Sequence, residues 1–300
     1  MSVSPESSSL QPLDILAIAA HRDDVEQTCG GTLLKMAQLG QRTGILDLTR
    51  GEMGTRGTAE DRAREADDAA KILGAVWRQA LDIPDGRVEN TWENRLKVAS
   101  VIRETRPRVI ILPYWKGRHP DHYTCSILGY EACFLAGLGK LALSPQLSAI
   151  SSETSNIRLT PNTAAPKGVP DDAPVAARLK ASPDTNRDSQ AGSYSGESLA
   201  PHRPFKIIYA TLYYDVRPTF VVDISEQFEG KFASLMAYKS QFSDQDAGKD
   251  LFPAHDEIRA RIDSMARFYG LLGGITYAEP FLQKEVGLVE DLLAIPVKSI

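Results

Sequence analysis

The stretch LDILAIAAHRDD, residues 13–24, passes from an apolar run straight into a group of charged and imidazole side chains. Its apolar part, residues 15–20, is unbroken and has the length of a strand that is buried on both faces. Strands of this kind occur in parallel sheets, whose ligand sites lie beyond the carboxyl ends of the strands. We therefore expect this stretch to form a sheet strand followed by part of a site.

The segments that follow this stretch alternate between helix and strand patterns. The sequence predicts helices at about 31–40, 58–73, 91–105 and 123–139, and strands at 44–49, 76–81, 109–113, 207–214 and 219–223. This alternation predicts an α/β fold with a doubly wound, Rossmann-like and mostly parallel sheet of strand order 3-2-1-4-5, with helices on both faces. Two further helices follow, one capped by Ser225 and one with apolar residues at helical spacing from Ile258 to Leu272.

Changes in composition along the chain predict its domain organisation. Residues 1–12 are rich in Ser and Pro, which is typical of a flexible arm. We predict a single domain over residues 13–285. It is interrupted at 144–201 by a low-complexity stretch rich in Pro, Ser, Thr, Asn and Asp. Such a stretch buries too little apolar area to offset the entropy cost of ordering, so we expect a disordered insertion there.

Charge and cysteine content argue against several classes of protein. The net charge is -5 and no basic run offsets it, so nucleic acid is not an expected partner. The three cysteines lack C-x-x-C spacing, which argues against a disulfide framework and against a thiolate zinc site. The first apolar run is too short to span a bilayer and follows no basic segment, so no membrane partner is expected. These features predict a soluble, cytoplasmic protein.

Two groups of polar side chains follow the first and fourth predicted strands. The six residues are His21, Asp23, Asp24, His119, Asp121 and His122. In a sheet of order 3-2-1-4-5 these two strands are neighbours at the switch point, so the two groups converge on one crevice although they are far apart in the sequence. Any one of these residues alone is typical of a turn or a helix cap. Two such groups at adjacent strand ends indicate a functional site.

The residue types in these groups suit a zinc site. Imidazole and carboxylate groups bind Zn²⁺, and a catalytic site uses three of them and leaves a fourth position for water. Water on the metal loses a proton near neutral pH and attacks an amide carbonyl when a base and an oxyanion stabiliser are at hand. Spacing alone does not assign the ligands, because His21/Asp24 and His119/His122 are both i,i+3 pairs.

The same groups carry a resemblance to a known family. The motif AHRDDVE (20–26) with CGGTL (29–33), and the motif HPDH (119–122), are similar to the two signature motifs of the LmbE/PIG-L family of zinc N-deacetylases. The resemblance extends over about 13–142 and 203–285. It implies that Zn²⁺ is the cofactor.

Three segments outside these motifs resemble one branch of that family. GEMGTRGT (51–58), IPDGR (83–87) and the segment 269–281 are similar to the enzymes that deacetylate N-acetylglucosaminyl malate in bacillithiol biosynthesis. The resemblance thus implies zinc-dependent hydrolysis of the N-acetyl group of a small N-acetylglucosaminide, with release of acetate and the free amine. Relatives are commonly homo-oligomers, which implies the same for this chain.

The resemblance also implies which residues hold the metal and accept the proton. The zinc ligands would be His21, Asp24 and His122. Asp23, which lies between two of these ligands in the sequence, would be the general base.

The remaining site residues take their roles from the same resemblance. His119 would stabilise the oxyanion and protonate the leaving amine, with Asp121 as its orienting partner. Arg56 would contact hydroxyl groups of the sugar. The family usually has proline where Arg22 stands, and we expect this arginine to point to solvent.

Three alternatives remain open from the sequence. The substrate could be another N-acetylglucosamine conjugate, such as a mycothiol precursor, a chitin disaccharide or a glycolipid. The chain could be a metal- and sugar-binding protein without catalysis. Gly30 and Gly31 could belong to a nucleotide-binding turn, although the pattern G-x-G-x-x-G is missing.

Overall fold

The computed structural model of this chain describes residues 10–145, 157 and 158, 198–211, 216–243, 254–291, 293 and 295. The strands within these residues are β1 (Ile15–Ala19), β2 (Thr43–Asp47), β3 (Trp77–Ala80), β4 (Val109–Pro113), β5 (Ile157–Arg158), β6 (Lys206–Ala210), β7 (Phe220–Asp223) and β8 (Ala278–Leu282). The helices are α1 (Asp24–Thr28), α2 (Gly30–Gln38), α3 (Ala59–Ile72), α4 (Trp92–Thr105), α5 (Pro120–Ala136), α6 (Phe228–Met236), α7 (Lys239–Phe242) and α8 (His255–Gly273).

The described strands form one sheet in the order β5-β3-β2-β1-β4-β6-β8-β7. β1 pairs in parallel with β2 and with β4, and the parallel pairing continues to β3 on one side and β6 on the other. The predicted α/β class is confirmed, and its order 3-2-1-4-5 is present when β6 counts as the fifth strand. The prediction was incomplete at both edges, because β5 pairs antiparallel to β3, and β8 pairs antiparallel to both β6 and β7.

Alternation along β1 divides the apolar core into two layers. Leu16 and Ile18 pack into a cluster with apolar residues of α4 and α5. Ile15, Ala17 and Ala19 pack on the other face with apolar residues of α1 and α2. Successive side chains of a strand point to opposite faces, so an unbroken apolar run is what a strand with helices on both sides requires.

Local capping signals explain where several helices begin. Thr58 and Asp61 form a reciprocal capping box at the start of α3, as their spacing predicts. The helix α5 begins at Pro120, three residues before the predicted start, because His119 caps it and proline is well suited to the first helical position. The prediction that Ser225 caps a helix was wrong: its hydroxyl donates to Asp223 Oδ1 at 2.6 Å, and α6 begins later.

Several sequence predictions lie outside the described residues. They concern residues 1–9 of the predicted arm, most of the predicted insertion at 144–201, and the end of the predicted strand at 207–214. Among the helices that the structure does describe, none is both long enough and apolar enough to cross a membrane.

The N-terminus of α2 is capped by a residue from the far end of the chain. Glu279 on β8 accepts hydrogen bonds from the backbone N–H groups of Gly31, at 2.9 Å, and Thr32, at 2.6 Å. Its Oε1 atom also lies 2.5 Å from Nζ of Lys231, and both side chains of this ion pair are almost fully buried. The carboxylate therefore satisfies first-turn N–H groups of α2 and neutralises a buried cation.

We expect Glu279→Gln to lower the free energy of unfolding by about 3 kcal/mol, because an uncompensated ammonium would remain buried. Urea denaturation of the metal-free protein measures this loss. The matched control is Glu229→Gln, which breaks an exposed ion pair with Arg259 and should cost far less. Equal losses in the two variants would contradict the structural importance of this cap.

Candidate active site

The two groups of polar residues meet at the carboxyl ends of β1 and β4. His21 lies in the short turn between β1 and α1, and Asp24 is the first residue of α1. His119 is the N-cap of α5, and Asp121 and His122 lie in its first turn. Because β1 and β4 pair directly, the sheet brings these two turns together as predicted.

Three side chains converge with the spacing of a metal site. The Nδ1 atom of His21 lies 3.2 Å from Nε2 of His122 and 3.4 Å from Oδ2 of Asp24. The distance from His122 Nε2 to Asp24 Oδ1 is 3.2 Å. Four-coordinate zinc with bonds of about 2.0–2.1 Å needs donor atoms about 3.3–3.4 Å apart, so these three residues fit the ion.

The other ring nitrogen of His21 is held by carboxylates. Its Nε2 atom lies 3.1 Å from Oδ1 of Asp85 and 3.3 Å from Oδ2 of Asp121. A proton on Nε2 directed at these carboxylates leaves the lone pair of Nδ1 available for a metal. A second possible metal group, formed by His21, His119 and Asp121, would need this same carboxylate of Asp121. That carboxylate already accepts backbone N–H groups of Gly86 and Val88, at 2.8 and 3.2 Å.

Electrostatics in this cluster favour a cation. Burial would lower the pKa of His21, but hydrogen bonds with Asp24 and Asp85, and their charges, raise it to about 11. Burial likewise opposes ionisation of Asp24, yet the imidazoles of His122 and His21 hold the pKa of this carboxyl well below its usual range. The carboxylates of Asp24 and Asp85 therefore stabilise a positive charge at this position. A proton on His21 provides that charge in the metal-free protein.

Asp23 lies beside the three converging side chains and has its own partners. Its Oδ1 atom accepts a hydrogen bond from Nη2 of Arg62 at 3.2 Å, and its Oδ2 atom accepts one from Nε2 of Gln27 at 3.3 Å. Burial raises the pKa of the Asp23 carboxyl, while the charge of Arg62 opposes the rise. The side chain is therefore oriented and remains able to accept a proton.

His119 lies at the exposed rim of the cluster. Its Nδ1 atom accepts the backbone N–H of Asp121 at 3.2 Å, so a neutral ring carries its proton on Nε2. Partial burial lowers the pKa of His119, and the charges of His21 and His122 lower it further. Asp121 thus orients His119 through its backbone amide, whereas its carboxylate is directed at His21.

Two arginines near the cluster are buried. The prediction that Arg22 points to solvent was wrong: it is 4% exposed, and its Nη1 donates to the carbonyl oxygen of Ala59 at 2.9 Å. Arg56 is 5% exposed, and its Nη1 donates to the carbonyl oxygens of Gln241 and Ser243. Contact of Arg56 with a sugar stays a prediction.

Sequence reasoning missed two residues of the cluster. Asp85 was named only within the segment IPDGR (83–87), although the preceding strand β3 ends at the same edge of the sheet. Arg62 lies in α3, where an arginine is typical of an exposed helix face, yet it is 5% exposed. The position of Asp85 after a parallel strand was a usable signal, whereas no local pattern marks Arg62.

This chain is similar to several known proteins. A family model described as PIG-L, GlcNAc-PI de-N-acetylase, matches residues 16–133. Diacetylchitobiose deacetylase of Thermococcus kodakarensis is 27% identical over 276 residues, covering 88% of this chain and 80% of that protein. The uncharacterized deacetylase YaiS of Escherichia coli is 31% identical over 132 residues, covering 43% of this chain and 71% of that protein. The crystal structure of the conserved protein TT1542 from Thermus thermophilus has 33% identity and a TM-score of 0.66, covering 93% of this chain and 98% of that one.

We expect zinc binding to the metal-free protein to release about one proton near neutral pH, because His21 is protonated there and must lose its proton to bind a metal. Calorimetric titrations in two buffers of different ionisation enthalpy measure this release. Affinity for zinc should rise with pH, since the proton is held up to a pKa of about 11. A binding heat that is the same in both buffers would contradict the prediction.

Proposed function

This chain belongs to the PIG-L family of de-N-acetylases, and we propose that it hydrolyses the N-acetyl group of a small N-acetylglucosaminide with a bound zinc ion. The chain is a hydrolytic N-deacetylase of substrates that contain N-acetylglucosamine. The observation that carries the proposal is the convergence of His21, Asp24 and His122 at donor distances of 3.2–3.4 Å, beside Asp23.

In this proposal the ion is held by His21, Asp24 and His122. Bound zinc supplies Lewis acidity toward the amide carbonyl and lowers the pKa of water. The carboxylates of Asp85 and Asp121 fix the ring of His21, because they accept its Nε2 proton.

Asp23 acts as the general base. Its carboxylate accepts the proton of the attacking water, and the hydrogen bonds from Arg62 and Gln27 fix its orientation beforehand. A raised pKa suits this task, since a base works best when its pKa approaches the working pH.

His119 acts as the oxyanion stabiliser and the general acid. The proton on its Nε2 atom is available to the developing oxyanion and then to the leaving amine, because Nδ1 already accepts the amide of Asp121. Its exposure at the rim leaves room for a sugar to reach it.

N-acetylglucosaminyl L-malate, the bacillithiol precursor, is the substrate we propose first. Both loops that resemble that branch, 51–58 and 83–87, lie beside the cluster, because Asp85 contacts His21 and accepts a hydrogen bond from the backbone N–H of Met53. Lys116 and Arg118, just before His119, are exposed and suit an anionic malate group. Diacetylchitobiose is the second candidate, because the enzyme named for it is similar along most of its length. A mycothiol precursor or a glycolipid would use the same core chemistry.

We also propose that residues 13–285 form one catalytic domain interrupted at 144–201, and that the chain assembles as a homo-oligomer. The continuity of the sheet from β1 to β8 supports the first proposal.

A substrate panel with acetate detection tests the proposed function. Zinc-loaded protein is incubated with N-acetylglucosaminyl malate, diacetylchitobiose and an inositol N-acetylglucosaminide. Preferred turnover of the malate conjugate is expected, whereas preference for another conjugate would overturn only the choice of substrate. Zinc binding without turnover of any of them would instead favour a binding protein.

We expect Asp23→Asn to reduce kcat by about 100- to 10,000-fold while the protein keeps its zinc, because the base is not a ligand. Acetate release and metal analysis of the same samples measure the two effects. Asp68→Asn, an exposed carboxylate on α3, is the matched control and should change neither. Full activity of Asp23→Asn would refute the assignment of the base.

A further inference from the structure

A buried guanidinium lies beneath the turn that carries the proposed ligands and base. Arg78 on β3 is 4% exposed, and hydrogen bonds occupy all its N–H donors. Nε and Nη2 donate to the two carboxylate oxygens of Asp47 at 2.9 and 3.0 Å, and Nη1 donates to Glu26 at 2.7 Å and to the carbonyl of Ala66 at 3.1 Å. The remaining donor, on Nη2, is directed at the backbone carbonyl of Arg22. Arg78 thus joins two strands and two helices to this turn.

A tyrosine from the other half of the chain reaches the same carbonyl. Tyr238, the residue before α7, is fully buried, and its hydroxyl donates to the carbonyl oxygen of Arg22. The same hydroxyl lies 3.2 Å from Oε1 of Glu26, which Arg78 also contacts. A carbonyl oxygen has two lone pairs, so Arg78 and Tyr238 together satisfy this acceptor.

The carbonyl of Arg22 belongs to the peptide unit that leads into Asp23. The carbonyl group of one residue and the N–H and Cα of the next lie in one plane. Two donors that fix the carbonyl of Arg22 therefore also fix the plane from which the side chain of Asp23 departs. The side chain of Arg22 is held as well, through its bond to Ala59. Residue 22 is thus restrained at its backbone and at its side chain.

We propose that Arg78 and Tyr238 are positioning residues for Asp23, acting through the Arg22 carbonyl. The inference rests on the proposed role of Asp23 as the base. A misplacement of about 1 Å in a catalytic group can cost about 100-fold in rate, so small rotations of this peptide plane matter. His21 and Asp24 flank the same two residues, and the restraint extends to these proposed zinc ligands.

Tyr238→Phe is the test, because it removes only the hydroxyl and keeps the ring in the core. In zinc-loaded, folded enzyme we expect kcat to fall about 10-fold while KM stays within about twofold, and the Kd for zinc to rise about 10-fold. The control is Tyr209→Phe, since the hydroxyl of Tyr209 is also buried but has no hydrogen-bond partner among the described residues. This variant should leave kcat, KM and zinc affinity unchanged.

A merely structural role predicts a different pattern. Tyr238→Phe would then lower Tm, but kcat per zinc-loaded enzyme and zinc affinity would match the wild type, and that result would overturn the proposal. Arg78→Lys is the second variant, since one ammonium cannot replace the guanidinium at Asp47, Glu26 and Arg22 together. It should lose more kcat and zinc affinity than Tyr238→Phe, and an equal or smaller loss in folded protein would count against the proposal.

The two proposals fail in distinguishable ways. If the wild type deacetylates a substrate and kcat of Tyr238→Phe is unchanged, the positioning role fails and the proposed function stands. If the wild type turns over no substrate, the proposed function fails, and the zinc Kd of Tyr238→Phe against Tyr209→Phe decides whether the turn is restrained.

Discussion

Direct pairing of β1 with β4 is the constraint on which the rest of the site depends. Parallel strands end at the same edge of a sheet, so the turn after β1 and the start of α5 are forced together. His122 reaches His21 and Asp24 only because of this pairing. The proposed chemistry of this N-deacetylase is located at this edge, beyond the carboxyl ends of the strands.

Much of this arrangement could be predicted from local patterns. The unbroken apolar run in β1 and the alternation of helices and strands are enough to predict the order of the parallel strands. The rules for crossover connections between parallel strands allow only a few sheet topologies. The six polar residues after the two strands were identifiable for the same reason, since a strand's end is visible in the sequence. The antiparallel edge was less predictable, because β8 contains Pro280 and reads poorly as a strand.

The partners of the site residues could not be predicted in this way. Arg62 and Arg22 are charged side chains in segments that read as exposed, and their burial depends on acceptors that are distant in the sequence. Asp121 was expected to orient His119, and it contacts this ring through its backbone amide while its carboxylate is directed at His21. Sequence spacing describes one element at a time, whereas these contacts depend on how several elements pack.

The cap on α2 has a consequence for the order of events during synthesis. Glu279 lies 248 residues beyond Gly31, and Lys231 lies nearly as far along the chain. The helix α2, which comes after the proposed zinc-binding turn and α1, therefore lacks this cap until β8 has left the ribosome. A nascent chain therefore carries the histidines of the proposed metal site long before Glu279 is available to cap α2.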